Sequence, residues 1–172
     1  MTENRPEYVV PKITALYVAK DKGEPMQYHS MVKAIAGVGL EGDGFLDRYA
    51  AGKGAFSNAK QEKVRHVTII SQDDIDFANI GLEVPFQPHD TRRNIVIEGL
   101  SAERLLGRRF EIGTVALEGT SICDPCKRPD LLSGKVGFMD VFQGERGELA
   151  GIRAAILSTG VLTVGNEIFY EL

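Results

Sequence analysis

Two late segments of the chain are written on one plan. Arg109-Phe-Glu-Ile-Gly-Thr-Val-Ala-Leu-Glu and Val161-Leu-Thr-Val-Gly-Asn-Glu-Ile-Phe-Tyr-Glu each read as an alternating strand, a glycine turn and a second alternating strand. Alternation at period two puts one face of each strand in a core and the other toward water, and repeated strand–glycine–strand units are the grammar of small β-barrels. Lys12-Ile-Thr-Ala-Leu-Tyr-Val-Ala reads the same way, and Asp21-Lys-Gly-Glu-Pro25 is a turn. Met31-Val-Lys-Ala-Ile-Ala is then a second strand, so a hairpin is expected to open the fold. Arg65-His-Val-Thr-Ile-Ile, the stretch after Asn94 and Ala150-Gly-Ile-Arg-Ala-Ala-Ile-Leu add further strands.

Helical signals are sparse. Ser71 caps a helix whose first turns hold Asp73, Asp74 and Asp76, a placement that suits the helix dipole, and Gly81 ends it. Ser101 opens a short helix, and a helical patch from Leu131 to Phe142 is interrupted by Gly134 and Gly137. Helices this few and short argue against crossover connections and a doubly wound sheet. The expectation is an α+β, mostly β fold, a barrel with a few short peripheral helices. It spans residues 1–172 as a single domain, with 1–10 as an N-terminal arm.

The chain has 172 residues and a formal charge of -4, which suggests neither nucleic acid nor a membrane surface as a partner. It has 2 cysteines, too few for a disulfide framework, and no apolar leader or membrane-length run, so the cytoplasm is the expected compartment. The basic residues are grouped as Arg92 with Arg93, Arg108 with Arg109, and Lys127 with Arg128. If the fold gathers two such pairs, they form a site for a small anion; otherwise they are solvated surface.

Both cysteines lie in Ser121-Ile-Cys123-Asp-Pro125-Cys126-Lys-Arg-Pro129, where two prolines and an aspartate impose a turn after the apolar run Thr114 to Glu118. Cys126 follows a backbone fixed by Pro125 and precedes two cations, a field that favours thiolate, the nucleophilic and metal-binding form. Zinc would need further ligands, and the 3 histidines, His29, His66 and His89, are isolated. His66 is expected at a strand edge in a packing or hydrogen-bonding role. A thioredoxin-like pair needs an α/β setting that the surrounding strands do not provide. A single working thiolate on Cys126 is the reading preferred.

The anion-binding candidates come from two places. Arg92 and Asn94 are two apart on an expected strand and would share a face, with Arg93 pointing away. Gly37 to Gly44 carries four glycines without the spacing of a phosphate loop, so it is either a close approach to a ligand or a wide turn. Phe45 to Gln61 is long and irregular, as expected for a lid or rim over a site.

In order along the chain, Gly39-Leu-Glu-Gly-Asp43, Asp47-Arg48-Tyr49, Val67-Thr-Ile-Ile, Arg92-Arg-Asn94-Ile-Val, Pro125-Cys126 and Gly151-Ile-Arg153…Gly160…Gly165 resemble the MOSC domain, the family of the molybdenum cofactor sulfurase C-terminal domain, in its small stand-alone form. The resemblance implies a β-rich barrel. It also implies a cysteine, matching Cys126, that carries sulfur as a persulfide or ligates molybdenum. Some family members bind the molybdenum–molybdopterin cofactor and reduce N-hydroxylated compounds. Arg92, Asn94 and Arg153 fall on family positions, and Arg48, Arg92 and Lys127 are the expected anchors of the pterin's phosphate, beside Asp43. A protein partner is also implied, either a cysteine desulfurase or an electron donor, because no flavin or iron–sulfur pattern is present. The chain departs from the family pattern in three ways. Gly44-Phe-Leu-Asp separates Asp43 from Arg48, Asn166 replaces an acidic residue, and Cys123 is additional, which leaves room for a thiol–disulfide module as a further reading.

Overall fold

The computed structural model describes residues 9–44, 64–145 and 147–171. Among them are eleven strands: β1 (Lys12–Val18), β2 (Gln27–His29), β3 (Met31–Ile35), β4 (Gly39–Leu40), β5 (Val67–Ser71), β6 (Ile95–Glu98), β7 (Arg109–Ile112), β8 (Val115–Ile122), β9 (Ile152–Ile156), β10 (Gly160–Thr163) and β11 (Ile168–Tyr170). Three short helices accompany them: α1 (Gln72–Ala78), α2 (Arg128–Ser133) and α3 (Phe138–Val141).

Eight strands form one sheet in the order β11-β7-β8-β9-β5-β6-β1-β2, and β10-β3-β4 form a second. The large sheet curls into a half-barrel. The start of β1 returns to the turn before β11, where Ile13 N–H donates to Asn166 O at 3.0 Å and Gly165 N–H to Ile13 O at 2.9 Å. Ile168 N–H also donates to Pro11 O at 2.8 Å. The mostly β reading therefore stands. The glycine-centred repeats are the hairpin β7–β8 and the turn from β10 to β11, whose Gly113 and Gly165 have φ of 57° and 93°.

The burial pattern follows from the curl. Inside the half-barrel, Ile13, Leu16, Ile69, Ile95, Leu117 and Ile152 pack with Val32, Leu40 and Leu162 of the small sheet. On the outer face, Ala15, Ile70, Val96 and Ala150 pack against Ile75 of α1 and a cluster of Phe86, Phe138 and Phe142. Phe138 and Phe142 stack at 4.2 Å between centroids, and Phe86 meets both edge-on. A strand covered on both faces needs no polar alternation, which is why β5 reads as a continuous β-branched run and every residue in it is buried.

The structure corrects two expectations. The opening hairpin is β1 with β2, not with β3, because β3 crosses to the small sheet and pairs with β10. Exposed side chains along Gln27–His29 gave β2 no alternation to reveal it. One crossover does exist. β5 and β6 are parallel neighbours, and α1 lies between them in the chain. Its start is capped as expected, with Ser71 Oγ accepting from Asp73 N–H at 3.1 Å. One such unit inside an otherwise antiparallel sheet leaves the fold class unchanged.

Candidate functional site

The parallel pair organises the site. Arg65 and His66 immediately precede β5, and Arg92, Arg93 and Asn94 immediately precede β6, so two clusters of charged and polar side chains meet at the same end of the sheet. Strand β8 runs on to Ile122, several residues past the expected Glu118, with a register shift between Gly119 and Ser121. The cysteine turn then begins with Cys123, whose N–H donates to Gly151 O at 2.8 Å. Gly151 has φ of 87°, and a Cβ there would lie 2.2 Å from Ile69 O, so the backbone that holds the turn requires glycine.

These elements enclose a cleft of about 600 Å³. Lys22, Arg65, Arg92, Arg93, Arg128 and Arg153 line it, against the acidic Asp21, Asp43 and Asp124. His66, Asn94, Cys123 and Cys126 also face it. Both thiols are free, Cys123 buried and Cys126 exposed. Of the three basic pairs in the sequence, the fold brings Arg92, Arg93 and Arg128 to this cleft. Arg108 and Arg109 lie elsewhere, bonded to Glu171 O and to the Glu118 carboxylate.

The arginines are held differently. Arg92 is in the left-handed region at φ 60°, the only non-glycine residue with positive φ among those described. It caps the 3-10 turn Pro88–Thr91, and its Nη atoms donate to Glu24 O at 2.8 Å and Lys22 O at 3.3 Å. The expected strand geometry therefore fails. β6 starts only at Ile95, and the twist at Arg92 leaves Arg93 facing the cleft as well. Asn94 is a structural clamp, accepting from Thr68 N–H and hydroxyl through Oδ1 and donating from Nδ2 to Tyr17 O and the Asp43 carboxylate, at 3.0 to 3.1 Å. Arg153 donates to Ser121 Oγ at 3.3 Å, Ile122 O at 2.5 Å and the Asp124 carboxylate at 3.4 Å, tying β9 to the cysteine turn.

Burial pushes the Arg92 guanidinium down from its ordinary value, and the like charge of Arg128 adds to this while Asp43 opposes it. Arg65 is lowered in the same way, first by burial, with the charges of Arg93 and Arg153 adding to it and Cys123 and Asp43 opposing. Arginine stays protonated under all such shifts, so what they register is crowded positive charge partly withdrawn from water.

His66 accepts Ile156 N–H through Nδ1 at 2.9 Å, in the hydrogen-bonding role expected of it, and burial lowers its pKa. The imidazole is thus a neutral ring with its proton on Nε2. Asp43 follows the β3–β4 hairpin. The glycines around it make turns, Gly37 and Gly42 with positive φ, and Gly44 packs against the Lys20 carbonyl, so the turn reading of that stretch is the structural one. Lys127 is exposed at the N-cap of α2 and does not line the cleft; its neighbour Arg128 does. Arg48 and the expected lid from Phe45 to Gln61 lie outside the described residues. Sequence reasoning did not single out Arg65 and Lys22, and it named Arg93 and Arg128 only as members of basic pairs. The available signal was an arginine shortly before each of two β-branched strands, but it acquires meaning only once those strands are known to be parallel.

A β-rich half-barrel with an exposed thiol in a basic cleft defines the class, and the family model of the MOSC domain matches residues 54–169. The chain belongs to the MOSC domain family. Its fold is similar to that of the YuaD protein from Bacillus subtilis, at 19% identity and a TM-score of 0.71, covering 93% of this chain and 94% of that one. It is also similar to YiiM from Geobacillus stearothermophilus, at 13% identity and a TM-score of 0.68, covering 94% of this chain and 75% of that one. YiiM from Escherichia coli gives 13% identity and a TM-score of 0.62, covering 94% of this chain and 70% of that one. Likeness at these identities is likeness of fold. A comparison with curated proteins finds no match. Among the described residues, no helix is long and apolar enough to cross a membrane.

Proposed function

We propose that the protein binds the molybdenum–molybdopterin cofactor, with the Cys126 thiolate as the protein's ligand to the metal and the basic cleft as the seat of the pterin's phosphate. The observation that carries this reading is the sharing of one cleft by an exposed, free Cys126 and six basic side chains. The donor chemistry fits, because molybdenum is a soft partner for thiolate and phosphate is matched by guanidinium. The described residues group no three His, Cys, Asp or Glu side chains for a metal. A metal that arrives already ligated by its pterin needs only one ligand from the protein. When bound, the cofactor supplies redox chemistry, as in the reduction of N-hydroxylated compounds. The chain's own residues bind and orient it: Arg92, Arg93 and Arg128 offer charge, Cys126 offers sulfur, and Asp43 with Asn94 fixes the wall between them. An electron donor from outside completes such a system. Expression in cells that make the cofactor, followed by metal and pterin analysis, tests the reading. Wild type is expected to carry both and Cys126→Ser to lose the metal; a metal-free, pterin-free wild type overturns it.

The exposure of Cys126 supports a second reading, a sulfur carrier served by a cysteine desulfurase. The thiolate attacks the outer sulfur of the donor's persulfide, a new S–S bond forms on Cys126, and the donor's S–S bond breaks with its thiolate leaving. Mass spectrometry of the protein after incubation with a desulfurase and cysteine is then expected to show one added sulfur on Cys126, removable by reductant. A thiol–disulfide module would engage buried Cys123 as well, and full function in Cys123→Ser excludes it.

A further inference from the structure

We propose that Arg93 anchors an oxyanion subsite on the floor of the cleft, one that takes a tetrahedral dianion of the phosphate class, free or as the phosphate end of a larger ligand. This deepens the cofactor reading and rests on it only for the identity of the larger ligand.

Arg93 is 7% exposed, a nearly buried guanidinium. Its Nε donates to Ala150 O at 2.7 Å, and its backbone N–H reaches Thr91 Oγ at 3.4 Å. The two terminal nitrogens have no hydrogen-bond or ion-pair partner among the described residues. No described side-chain nitrogen or oxygen is both sealed from solvent and unpartnered, so these nitrogens open onto the cleft that Arg93 lines. A buried charge without a counter-charge is costly, and a guanidinium fixed through Nε presents its remaining donors as a fork matched to two oxygens of phosphate.

The surroundings add to the demand for an anion. Arg65 and Arg153 share the cleft wall with Arg93 and raise the local positive charge. Of the acidic side chains that line the cleft with Arg93, Asp124 accepts from Arg153 and Asp43 accepts from Asn94, and no hydrogen bond or ion pair joins Asp21, Asp43 or Asp124 to Arg93. Arg92, the arginine that the sequence favoured, already commits one donor from each terminal nitrogen to the carbonyls of residues 22 and 24. Arg93 is therefore the arginine whose fork is set and unspent.

Thermal unfolding in sodium phosphate against sodium chloride at matched ionic strength tests the subsite, using wild type, Arg93→Met and Arg93→Lys. Wild type is expected to gain several degrees in phosphate, saturably. Arg93→Met is expected to lose that gain, with at least tenfold weaker apparent affinity, while its unfolding in chloride reflects the loss of both an uncompensated charge and the bond to the buried Ala150 O. Arg93→Lys keeps the charge without the fork and is expected to fall between them. A wild type indifferent to phosphate overturns the proposal. So does an Arg93→Met protein that is destabilised in chloride yet responds to phosphate as wild type does. If Arg93→Met itself fails to fold, an undiminished response in Arg93→Lys overturns it. Pterin content after expression in cofactor-making cells separates the sources. Depletion in both Arg93 variants assigns the phosphate to the pterin, and retention with a lost phosphate response assigns it to a free dianion. Phosphate binding by a wild type that never acquires cofactor leaves the subsite standing and overturns the cofactor reading alone.

Discussion

Asn94 and Thr68 are bonded three times across the parallel pair. Thr68 donates its N–H and its hydroxyl to Asn94 Oδ1 at 3.1 and 3.0 Å, and the same hydroxyl accepts Asn94 N–H at 3.0 Å. Asn94 is buried, and its Nδ2 carries the lock on to Tyr17 O and Asp43. Asn94→Ala would leave a buried N–H, a hydroxyl and a carbonyl short of partners, and a loss of about 2–4 kcal/mol is expected in urea denaturation. Asn94→Asp keeps the acceptor but sets a second carboxylate against Asp43, so it is expected to rescue little.

Asp74 gives the fold a pH dependence of its own. Burial raises its pKa from 3.8 to about 6, against the lowering effect of hydrogen bonds from Ser101 Oγ and Ala102 N–H. The folded chain thus holds this proton more tightly than the unfolded one, so the stability it contributes is full below the unfolded value and is lost as pH rises through about 4 to 6. Asp74→Asn is expected to flatten that slope and to be more stable than wild type at neutral pH by roughly 1–2 kcal/mol. Chemical denaturation of both proteins across that range checks it; parallel curves would refute the assignment.

The two thiols are expected to differ in reactivity. Cys126 is exposed and Cys123 is 3% exposed. Under native conditions iodoacetamide is expected to label Cys126 at least about tenfold faster, with Cys123 reacting fully only in denaturant. Peptide mapping after a short pulse reads this directly, and comparable labelling of both residues would contradict the geometry.

Gly151 carries the backbone that the cysteine turn hangs on. Alanine there combines φ of 87° with a Cβ 2.2 Å from Ile69 O. A cost of about 3 kcal/mol or more is expected for Gly151→Ala, with faster labelling of Cys123 as the Cys123 N–H to Gly151 O bond is disturbed. Wild-type stability in that variant would show that β5 and β9 part more easily than their contact implies.

Local chemistry is what the sequence could express. Ser71 announces the start of α1, Gly134 and Gly137 separate α2 from α3, and the two proline residues around Cys126 mark the turn that carries the thiol. These signals are fixed within a few residues of where they act. The parallel pairing of β5 with β6 is set by packing on both sheet faces, and no short stretch encodes it. The left-handed turn at Arg92 is equally hidden, because a non-glycine residue adopts it only where tertiary contacts enforce it. That single residue breaks the two-residue alternation on which the pairing of Arg92 with Asn94 depended. It is also why Arg93, expected to point away, faces the cleft beside Arg92.

The bonds joining residues 11–13 to 165–168 make the first and last described strands a clasp. Neither can peel away without releasing the other, so fraying of β11 at one edge is coupled to β1, one strand in from the opposite edge. Those residues border a groove of their own, apart from the one that holds Cys126. A tether attached beside the clasp would therefore load its seam and leave the thiol open to solution.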